Sequence, residues 1–202
     1  MTLACPRCGL VHQCICSQIP NLSDSQLLLS LLMHPEEIKR DTNTGRWLNE
    51  ALPDCETFIW QRTQANQDLL DRIHQQNSTS FLVFPAEESL TDTQAIEQCK
   101  AQGTTPHFII LDGTWQEARK MRRKSAWLDK LPTVTLSTSN ITSQYQLRRN
   151  QESGHLCTLE VANVLLSALG EQAFANQMER FFLNYMKVYQ ADKSGHVWQK
   201  KQ

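Results

Sequence analysis

The sequence predicts an α/β fold with a mostly parallel sheet and flanking helices. Two observations predict it. Short apolar or β-branched runs alternate with helical patterns along the chain, which is the βαβ rhythm of parallel sheets. The run at residues 108–111 also shows no polar alternation. That pattern is expected for a strand buried on both faces of such a sheet, although a short buried helix segment has the same pattern.

The predicted strands are bounded by turn residues and cover residues 26–33, 57–60, 80–84, 108–111 and 133–136. The predicted helices between them cover residues 44–51, 66–75, 91–101 and 114–128. After residue 137 an irregular polar stretch precedes two more helical patterns, one at 158–168 and one after Gly170. The apolar stripes of these last two helices are most simply core, with a dimer contact as the alternative. We therefore expect a monomer or a weak homodimer.

The composition is that of a globular protein of 202 residues with a formal net charge of −1. This balance argues against nucleic-acid binding by bulk charge, so any RNA contact must use local basic patches. No apolar run approaches the roughly 20 residues that span a bilayer, and the first residues lack the apolar segment of a signal peptide. We expect a soluble, cytoplasmic protein with no membrane partner.

Four of the seven cysteines crowd the beginning of the chain: Cys5, Cys8, Cys14 and Cys16. Without secretion, a metal site is a better interpretation than a disulfide framework. Four thiolates in a tetrahedral array are what zinc prefers in closed structural sites. Reduced free thiols are the alternative, as is a set of ligands that includes His12. We expect residues 1–20 to form a structural zinc knuckle and residues 21–202 to form the α/β domain with its C-terminal helices.

The segment around Asp112 predicts a strand, a turn and a helix. Gly113 permits a sharp turn, and Thr114 with Glu117 has the spacing of a capping box, so the helix is expected to begin at Thr114. This junction joins the carboxyl end of a strand to the partly positive start of a helix, where anionic groups bind. Asp112 and Trp115 would border such a site. Ordinary turn chemistry and a buried helix face are the alternative.

The same predicted helix carries a run of basic residues: Arg119, Lys120, Arg122, Arg123 and Lys124. Phosphate contacts dominate nucleic-acid affinity, and the run lies next to the predicted site, so we expect it to bind RNA. A solvated helix face is the alternative. Three residues of the irregular stretch, Tyr145, Arg148 and Arg149, are expected to join this RNA contact, and Arg40 and Arg46 are further candidates for phosphate contacts.

Four short motifs resemble those of the DTW-domain family, whose characterised members are tRNA-uridine aminocarboxypropyltransferases. In chain order they are the early cysteine cluster, Pro35-Glu36 with Asn43-Thr44-Gly45, Asp112-Gly-Thr-Trp115 and Thr158-Leu-Glu160. Each motif alone is weak, but chance agreement of all four in order is improbable. The last motif of the family usually begins with Ser and continues Glu-Ala, whereas Cys157 and Val161 stand here. A role for that hydroxyl is therefore in doubt.

The resemblance implies a SPOUT-like α/β fold with a deep knot, S-adenosylmethionine as co-substrate and tRNA as partner. It implies transfer of the 3-amino-3-carboxypropyl group to N3 of a uridine, in the variable loop for bacterial members, with release of 5'-methylthioadenosine. Asp112 is the first candidate for the general base, and an orienting role for it fits equally well. Either Asp112 or Glu160 is a candidate partner for the donor's ammonium group.

The expected donor-binding residues lie in the same motifs: Glu36, Asn43, Thr44, Gly45, Asp112, Gly113, Thr114, Trp115 and Thr158. Trp115 is expected to stack on adenine or on the target uracil, with a packed core indole as the alternative. For residues 36–45, a helix cap and a turn glycine are the alternative. Two other functions remain open: an RNA methyltransferase that uses the same donor, and a non-catalytic zinc-containing RNA-binding protein.

Overall fold

The computed structural model describes residues 3–137, 143–145, 147 and 156–199. Within these ranges the strands are β1 (Leu28–Met33), β2 (Cys55–Ile59), β3 (Ser78–Val83), β4 (Leu90–Thr91), β5 (Thr105–Asp112) and β6 (Thr133–Thr135). They form one six-stranded sheet in the order β2-β1-β5-β3-β6-β4, and every pairing is parallel. The predicted parallel sheet is confirmed. The two-residue strand β4 was not predicted, because so short a strand leaves no pattern in the sequence.

The helices are α1 (Gly45–Ala51), α2 (Gln67–Ile73), α3 (Asp92–Gln102), α4 (Trp115–Lys124), α5 (Thr158–Ala168) and α6 (Gln172–Lys193). The helix predicted for residues 114–128 is too long. It ends at Lys124 because Ser125 leaves the helical region, at φ −126° and ψ 74°, and the 3-10 helix Ala126–Lys130 follows. A further 3-10 helix, Pro35–Lys39, lies between β1 and α1. Among the described residues, no helix combines the length and apolar character that crossing a membrane requires.

The two faces of the sheet carry separate hydrophobic clusters. One contains Leu29 and Phe108 of the sheet with side chains from α1, α3, α5 and α6. The other contains Ile109 and Leu111 with side chains from α2 and α4. Because β5 lies between β1 and β3, every residue from Pro106 to Asp112 is buried. Burial on both faces explains why this strand lacks polar alternation, and the predicted flanking helices are confirmed.

A histidine joins the three central strands inside the sheet. The ring of His107 on β5 is fully buried, with Nε2 2.7 Å from Ser30 Oγ on β1 and Nδ1 2.8 Å from Ser80 Oγ on β3. Burial lowers the pKa of His107 to about 4. The ring is therefore neutral at pH 7, and the two hydroxyl groups satisfy both of its nitrogen atoms.

The carboxyl end of β5 lies beside the carboxyl end of β1. Met33 is the register partner of Asp112, and the amide of His34 donates to the carbonyl oxygen of Asp112 at 2.8 Å. The segment that follows β1 therefore begins at the carboxyl end of β5. This is the edge of a parallel sheet at which ligands bind in open α/β folds.

Candidate functional site

Asp112 is the centre of a buried hydrogen-bond network. Asp112 is 2% exposed. Its Oδ1 accepts a hydrogen bond from Thr158 Oγ1 at 2.6 Å, and its Oδ2 accepts one from Asn43 Nδ2 at 2.8 Å. Three segments that are far apart in the chain, the loop before α1, the end of β5 and the start of α5, therefore meet on one carboxylate. Donors on both oxygen atoms hold that carboxylate in a single orientation.

Gly45 at the start of α1 packs against the same carboxylate. A Cβ at this position would lie 2.8 Å from Asp112 Oδ2 and 3.0 Å from Leu31 Cδ1. The backbone of Gly45 has no positive φ, and neither has that of Gly113. Glycine is therefore required at position 45 by the close approach of Asp112. At position 113 a Cβ would lie 3.2 Å from Glu117 Cβ, so that glycine also provides space rather than a left-handed turn.

Asn43 extends the network toward the 3-10 helix Pro35–Lys39. Its Nδ2 also donates to Glu37 Oε2 at 3.0 Å. Glu37 is 1% exposed and pairs with Arg40. Arg40 in turn donates from Nη1 and Nη2 to the two carboxylate oxygens of Glu117, at 2.7 and 2.8 Å. The guanidinium of Arg40 lowers the pKa of Glu117 to about 2, and Glu117 raises the pKa of Arg40.

These contacts change the expectations for the segment after β1. Arg40, a candidate for phosphate contacts, is held between two carboxylates of the protein. Glu36, the expected donor-binding acid, is exposed, and its amide donates to His34 Nδ1 at 3.3 Å. Sequence reasoning missed Glu37, which is the buried acid of this segment. No local signal separates two adjacent glutamates in a five-residue 3-10 helix.

The capping box predicted at the start of α4 is confirmed. Thr114 Oγ1 accepts a hydrogen bond from the amide of Glu117 at 3.3 Å, and Glu117 Oε2 accepts one from the amide of Thr114 at 2.8 Å. Glu117 therefore has two roles, because the same carboxylate binds Arg40. It fixes the helix start relative to the segment after β1.

Trp115, the first residue of α4, is half-buried beside Phe84 at the end of β3. The two ring centroids are 6.2 Å apart and the ring planes are inclined by 56°. The guanidinium carbon of Arg122 lies 4.7 Å from the centroid of the Phe84 ring. Phe84 was not singled out from the sequence. Two aromatic rings and a guanidinium at the edge of a basic helix are the groups on which unpaired bases stack.

The first turn of α5 has different contacts on its two sides. Thr158 bonds Asp112, and Thr44 Oγ1 accepts a hydrogen bond from the amide of Leu159 at 3.3 Å. Glu160 accepts hydrogen bonds from the amide of Cys157 at 2.8 Å and from the amide of Gln144 at 2.6 Å. Glu160 therefore caps α5 and holds residues 143–145 against it.

Glu160 also lines a groove between α3, α5 and α6 with a volume of about 590 Å³. Two more acids, Asp92 and Glu179, line the same groove, and Asp112 does not. The Oδ1 atom of Asn163 in its wall is buried without a hydrogen-bond partner among the described residues. Ligand pockets for small molecules have volumes of about 300 to 1,000 Å³, so a nucleoside-sized ligand matches the groove in size.

The basic run on α4 is largely exposed. Arg119, Lys120, Arg123 and Lys124 face solvent. The side chain of Arg122 is 27% exposed and lies 4.0 Å from Asp129. Because α4 begins three residues after Asp112, these cations start at the carboxylate site and extend away from it. Arg148 and Arg149, predicted to join the RNA contact, lie outside the described residues. Tyr145, predicted with them, is buried instead, and its ring stacks on Phe182 of α6 with the centroids 6.0 Å apart.

The four cysteines of the N-terminal segment form one cluster. Their Sγ atoms all lie within 4.8 Å of one another, and the closest pairs are 3.6 to 3.9 Å apart. A zinc ion with four ligands at about 2.3 Å in tetrahedral geometry places its sulfur atoms about 3.8 Å apart. Burial and the three neighbouring thiols raise the pKa of Cys16, whereas hydrogen bonds from backbone amides lower the pKa of Cys5. The donor set and its spacing fit zinc.

This segment is anchored to the rest of the chain. The amides of Val11 and His12 donate to Asp192 Oδ1 on α6 at 2.8 and 2.6 Å. Leu10 and Ile15 belong to the larger hydrophobic cluster. Arg46, the other candidate for phosphate contacts, donates to the carbonyl oxygen of Cys8 at 3.3 Å.

Comparisons with known proteins agree on one family. The sequence profile of the DTW domain matches residues 2–190. The tRNA-uridine aminocarboxypropyltransferase 2 of Mus musculus is 28% identical over 170 residues, which cover 82% of this chain and 56% of that protein. The protein of the same name from Macaca fascicularis is 28% identical, covering 86% and 58%. That from Drosophila melanogaster is 27% identical, covering 98% and 79%.

The chain thus spans little more than half the length of the two mammalian relatives. All three relatives are transferases by name. No solved structure matches the chain.

Proposed function

The chain belongs to the DTW domain family, and from this premise we propose that it transfers the 3-amino-3-carboxypropyl group of S-adenosylmethionine to N3 of a uridine in tRNA. The observation that carries the proposal is the meeting of the family's motif residues on Asp112, at the edge of the sheet from which the basic helix α4 starts. The names of the curated relatives support the same reaction class.

The reaction forms a carbon–nitrogen bond, breaks a carbon–sulfur bond and transfers the proton of the nitrogen to an acceptor. The uridine N3 loses its proton and bonds to the γ-carbon of the transferred group, while the bond from that carbon to sulfur breaks and sulfur keeps the electron pair. When bound, the donor supplies a sulfonium leaving group, so the protein mainly has to orient the reactants and accept the proton. The thioether product is 5'-methylthioadenosine.

We propose one of two roles for Asp112. It accepts the proton of uridine N3, or it orients the neighbouring residues of the site, and experiments can distinguish the two roles. The 2% exposure of Asp112 means that the uridine must displace neighbouring groups to reach it, which favours the orienting role. Asp112→Asn keeps the shape and removes the charge. Its kcat should fall at least a hundredfold. A base role predicts that the limb of the pH profile assigned to the acceptor disappears, whereas an orienting role predicts an unchanged profile at lower kcat.

The groove beside Glu160 is the proposed site for part of the donor. S-adenosylmethionine carries a sulfonium and an ammonium against one carboxylate, so its net charge is positive. Three carboxylates, those of Asp92, Glu160 and Glu179, lie in the lining of the groove. Opposite charges across a partly desolvated wall favour binding of such a cation. Since Thr158 bonds Asp112 and Glu160 lines the groove, the first turn of α5 connects this groove to the buried carboxylate.

For the tRNA we propose α4 as the phosphate-binding element and Trp115 as a stacking residue. Exposed arginine and lysine side chains neutralise phosphates and set the salt dependence of RNA binding. Trp115 and Phe84 present aromatic surface next to those cations. A uridine in folded tRNA must be unstacked before its N3 is accessible, and aromatic side chains provide a replacement surface for stacking.

Zinc in the four-cysteine segment is proposed as structural. Four thiolates leave no open coordination position for a substrate or water. The metal would therefore shape the segment that packs on α1 and α6, and no chemical step is assigned to it.

The experiment that tests the function is mass spectrometry of nucleosides from unmodified tRNA incubated with the protein and S-adenosylmethionine. Aminocarboxypropyl-uridine together with 5'-methylthioadenosine is the expected result. Methyl-uridine with S-adenosylhomocysteine would instead indicate a methyltransferase, and tRNA binding that gives neither product would indicate a binding protein.

Several finer features belong to the same proposal. The SPOUT-like knot, the variable-loop uridine and the division into residues 1–20 and 21–202 stay predictions. The cytoplasmic location and the monomeric or weakly dimeric state also stay predictions.

A further inference from the structure

Arg46 connects the four-cysteine segment to the carboxylate network through consecutive hydrogen bonds. Its Nη2 donates to the carbonyl oxygen of Cys8 at 3.3 Å. Its backbone amide donates to Asn43 Oδ1 at 3.0 Å. The other end of the same Asn43 side chain donates to Asp112 Oδ2 at 2.8 Å. One residue therefore separates the backbone of a proposed metal ligand from the side chain that holds the central carboxylate.

The side chain of Arg46 is held tightly along this path. Its guanidinium carbon lies 4.3 Å from the centroid of the Trp47 ring and 5.9 Å from that of Tyr185. Nη2 is also 3.2 Å from the hydroxyl oxygen of Tyr185, which donates to the carbonyl of Asp41 at 3.1 Å. The Nε atom of Arg46 is buried and finds no hydrogen-bond partner among the described residues. An arginine packed in this way has little freedom to take up movement at either end.

The loop that carries Asn43 is also held on that side by Lys193 of α6, whose Nζ donates to Asp41 Oδ2 at 2.8 Å. The hydroxyl group of Tyr145 donates to the carbonyl of Thr42 at 2.8 Å, and that of Tyr185 binds the carbonyl of Asp41. Both of these contacts hold backbone carbonyl groups and leave the Asn43 side chain to be oriented by its own partners. The amide of Arg46 donates to Oδ1 of Asn43 and fixes that end of the side-chain amide, while the carboxylates of Glu37 and Asp112 accept from the Nδ2 end.

We propose that Arg46 is a positioning residue that couples metal occupancy of the four-cysteine segment to the orientation of Asn43 and Asp112. A bound metal fixes the backbone of Cys8, and the Cys8 carbonyl fixes the guanidinium of Arg46. The amide of Arg46 then keeps Asn43 Nδ2 directed at Asp112. The metal thereby supports the reaction without contacting any substrate.

Coupling of this kind is reciprocal. If the metal site stabilises the arrangement of Asn43, then the contacts of Asn43 must strengthen the binding of the metal by the same free energy. With an unchanged association rate, this gain is measured as slower release of the metal. This consequence is measurable without tRNA and without S-adenosylmethionine. The inference can therefore be tested apart from the proposed function. It rests on that function only in saying which reaction the network supports.

The test is a double-mutant cycle on the zinc-loaded protein of 202 residues. The rate of zinc transfer to a chromophoric chelator is measured for the wild type, Asn43→Ala, Arg46→Met and the double variant. Arg46→Met keeps an apolar stem over Trp47 and removes the guanidinium. Asn43→Ala should speed zinc release about fivefold, the lower end of typical coupling between sites, and this increment should disappear in the Arg46→Met background.

Arg7→Met is the matched control. Like Arg46, Arg7 links the cysteine segment to α1, in this case from the cysteine segment to Glu50. Its side chain is exposed, and it does not contact the loop of Asn43. In the Arg7→Met background the Asn43→Ala increment should persist. Should Asn43→Ala fail to fold, Thr158→Val replaces it, since that change loosens Asp112 from its other side.

Activity gives a second readout. In zinc-loaded Arg46→Met, kcat should fall about tenfold while the KM for tRNA stays within about twofold, because the residue orients the network and contacts no substrate. An unchanged zinc-release rate in Asn43→Ala, or an equal increment in the wild-type and Arg46→Met backgrounds, would overturn the inference. A wild-type protein that makes no aminocarboxypropyl-uridine would refute the proposed function. The double-mutant cycle on zinc release would then still decide whether Arg46 couples the metal to Asn43.

Discussion

Replacing Gly45 with alanine tests whether the position of the Asp112 carboxylate matters. The added Cβ would lie 2.8 Å from Asp112 Oδ2, and ordinary contacts begin at 3.4 Å, so the oxygen must move by about 0.6 Å. A movement along the bond from Asn43 would lengthen that 2.8 Å hydrogen bond to about 3.4 Å, beyond the usual range. Loss of a buried bond to a charged group costs about 1.5 to 3 kcal/mol. The better helix propensity of alanine offsets about 1 kcal/mol.

The net change in the free energy of unfolding is therefore about 1 kcal/mol, which lowers the Tm by about 3 °C in a domain of this size. The effect on the reaction should be larger, because a misplacement of about 1 Å costs up to about a hundredfold in rate. We expect kcat in Gly45→Ala to fall at least about tenfold. Single-turnover product formation, followed by nucleoside mass spectrometry, measures it.

Gly103→Ala is a control of comparable stability. Gly103 has φ +67° and open space around its Cβ position, so alanine there is destabilising by about 1 to 2 kcal/mol through backbone strain alone. It ends α3 two residues before the start of β5, at the opposite end of that strand from Asp112. Its activity should stay near the wild-type value below the Tm. If Gly45→Ala retained more than half of the wild-type kcat, the reaction would not require the close approach of Gly45 to the Asp112 carboxylate.

Three further predictions concern other parts of the molecule. Cys8→Ser should lose zinc and lower the Tm, as measured by elemental analysis and calorimetry, and a wild-type protein purified without metal would contradict the zinc site. The folded pKa of His107, about 4, lies below its ordinary 6.5, so the unfolded chain binds the proton first and stability is lost as the pH falls through this window. Urea denaturation should show roughly 2 kcal/mol of loss between pH 7 and pH 5, and His107→Gln should lack this component. Charge reversal at Arg119 and Arg123 should raise the KM for tRNA about tenfold and flatten its salt dependence, whereas the same change at exposed Lys187 on α6 should not.

Local signals in the sequence predicted much of the fold. The capping box at Thr114 placed the start of α4 because both of its partners are three residues apart. The helix at 158–168 was predicted with the bounds it has in the structure, since its apolar spacing is continuous. The buried strand β5 was recognised from its lack of polar residues. Each of these patterns involves residues that are close together in the sequence.

The partners inside the site could not be predicted in the same way. Glu37 is buried against Asn43 while Glu36 faces solvent, and the difference arises only from how the 3-10 helix packs on the rest of the chain. Arg40 has the composition of a phosphate contact but is held by Glu37 and by Glu117, which lies on another helix. Long-range pairing of this kind leaves no periodicity in the sequence.

Gly45 shows why a motif can be recognised before it is understood. Locally it is a glycine at the start of a helix, for which a turn is a sufficient explanation. The structure gives a different cause, the Asp112 carboxylate that approaches from β5. Asn43, Gly45, Asp112 and Thr158 are therefore one unit, and loss of any one should remove most of the effect of the others. Substitutions within such a unit are not additive, so single variants will overstate the separate contribution of each residue.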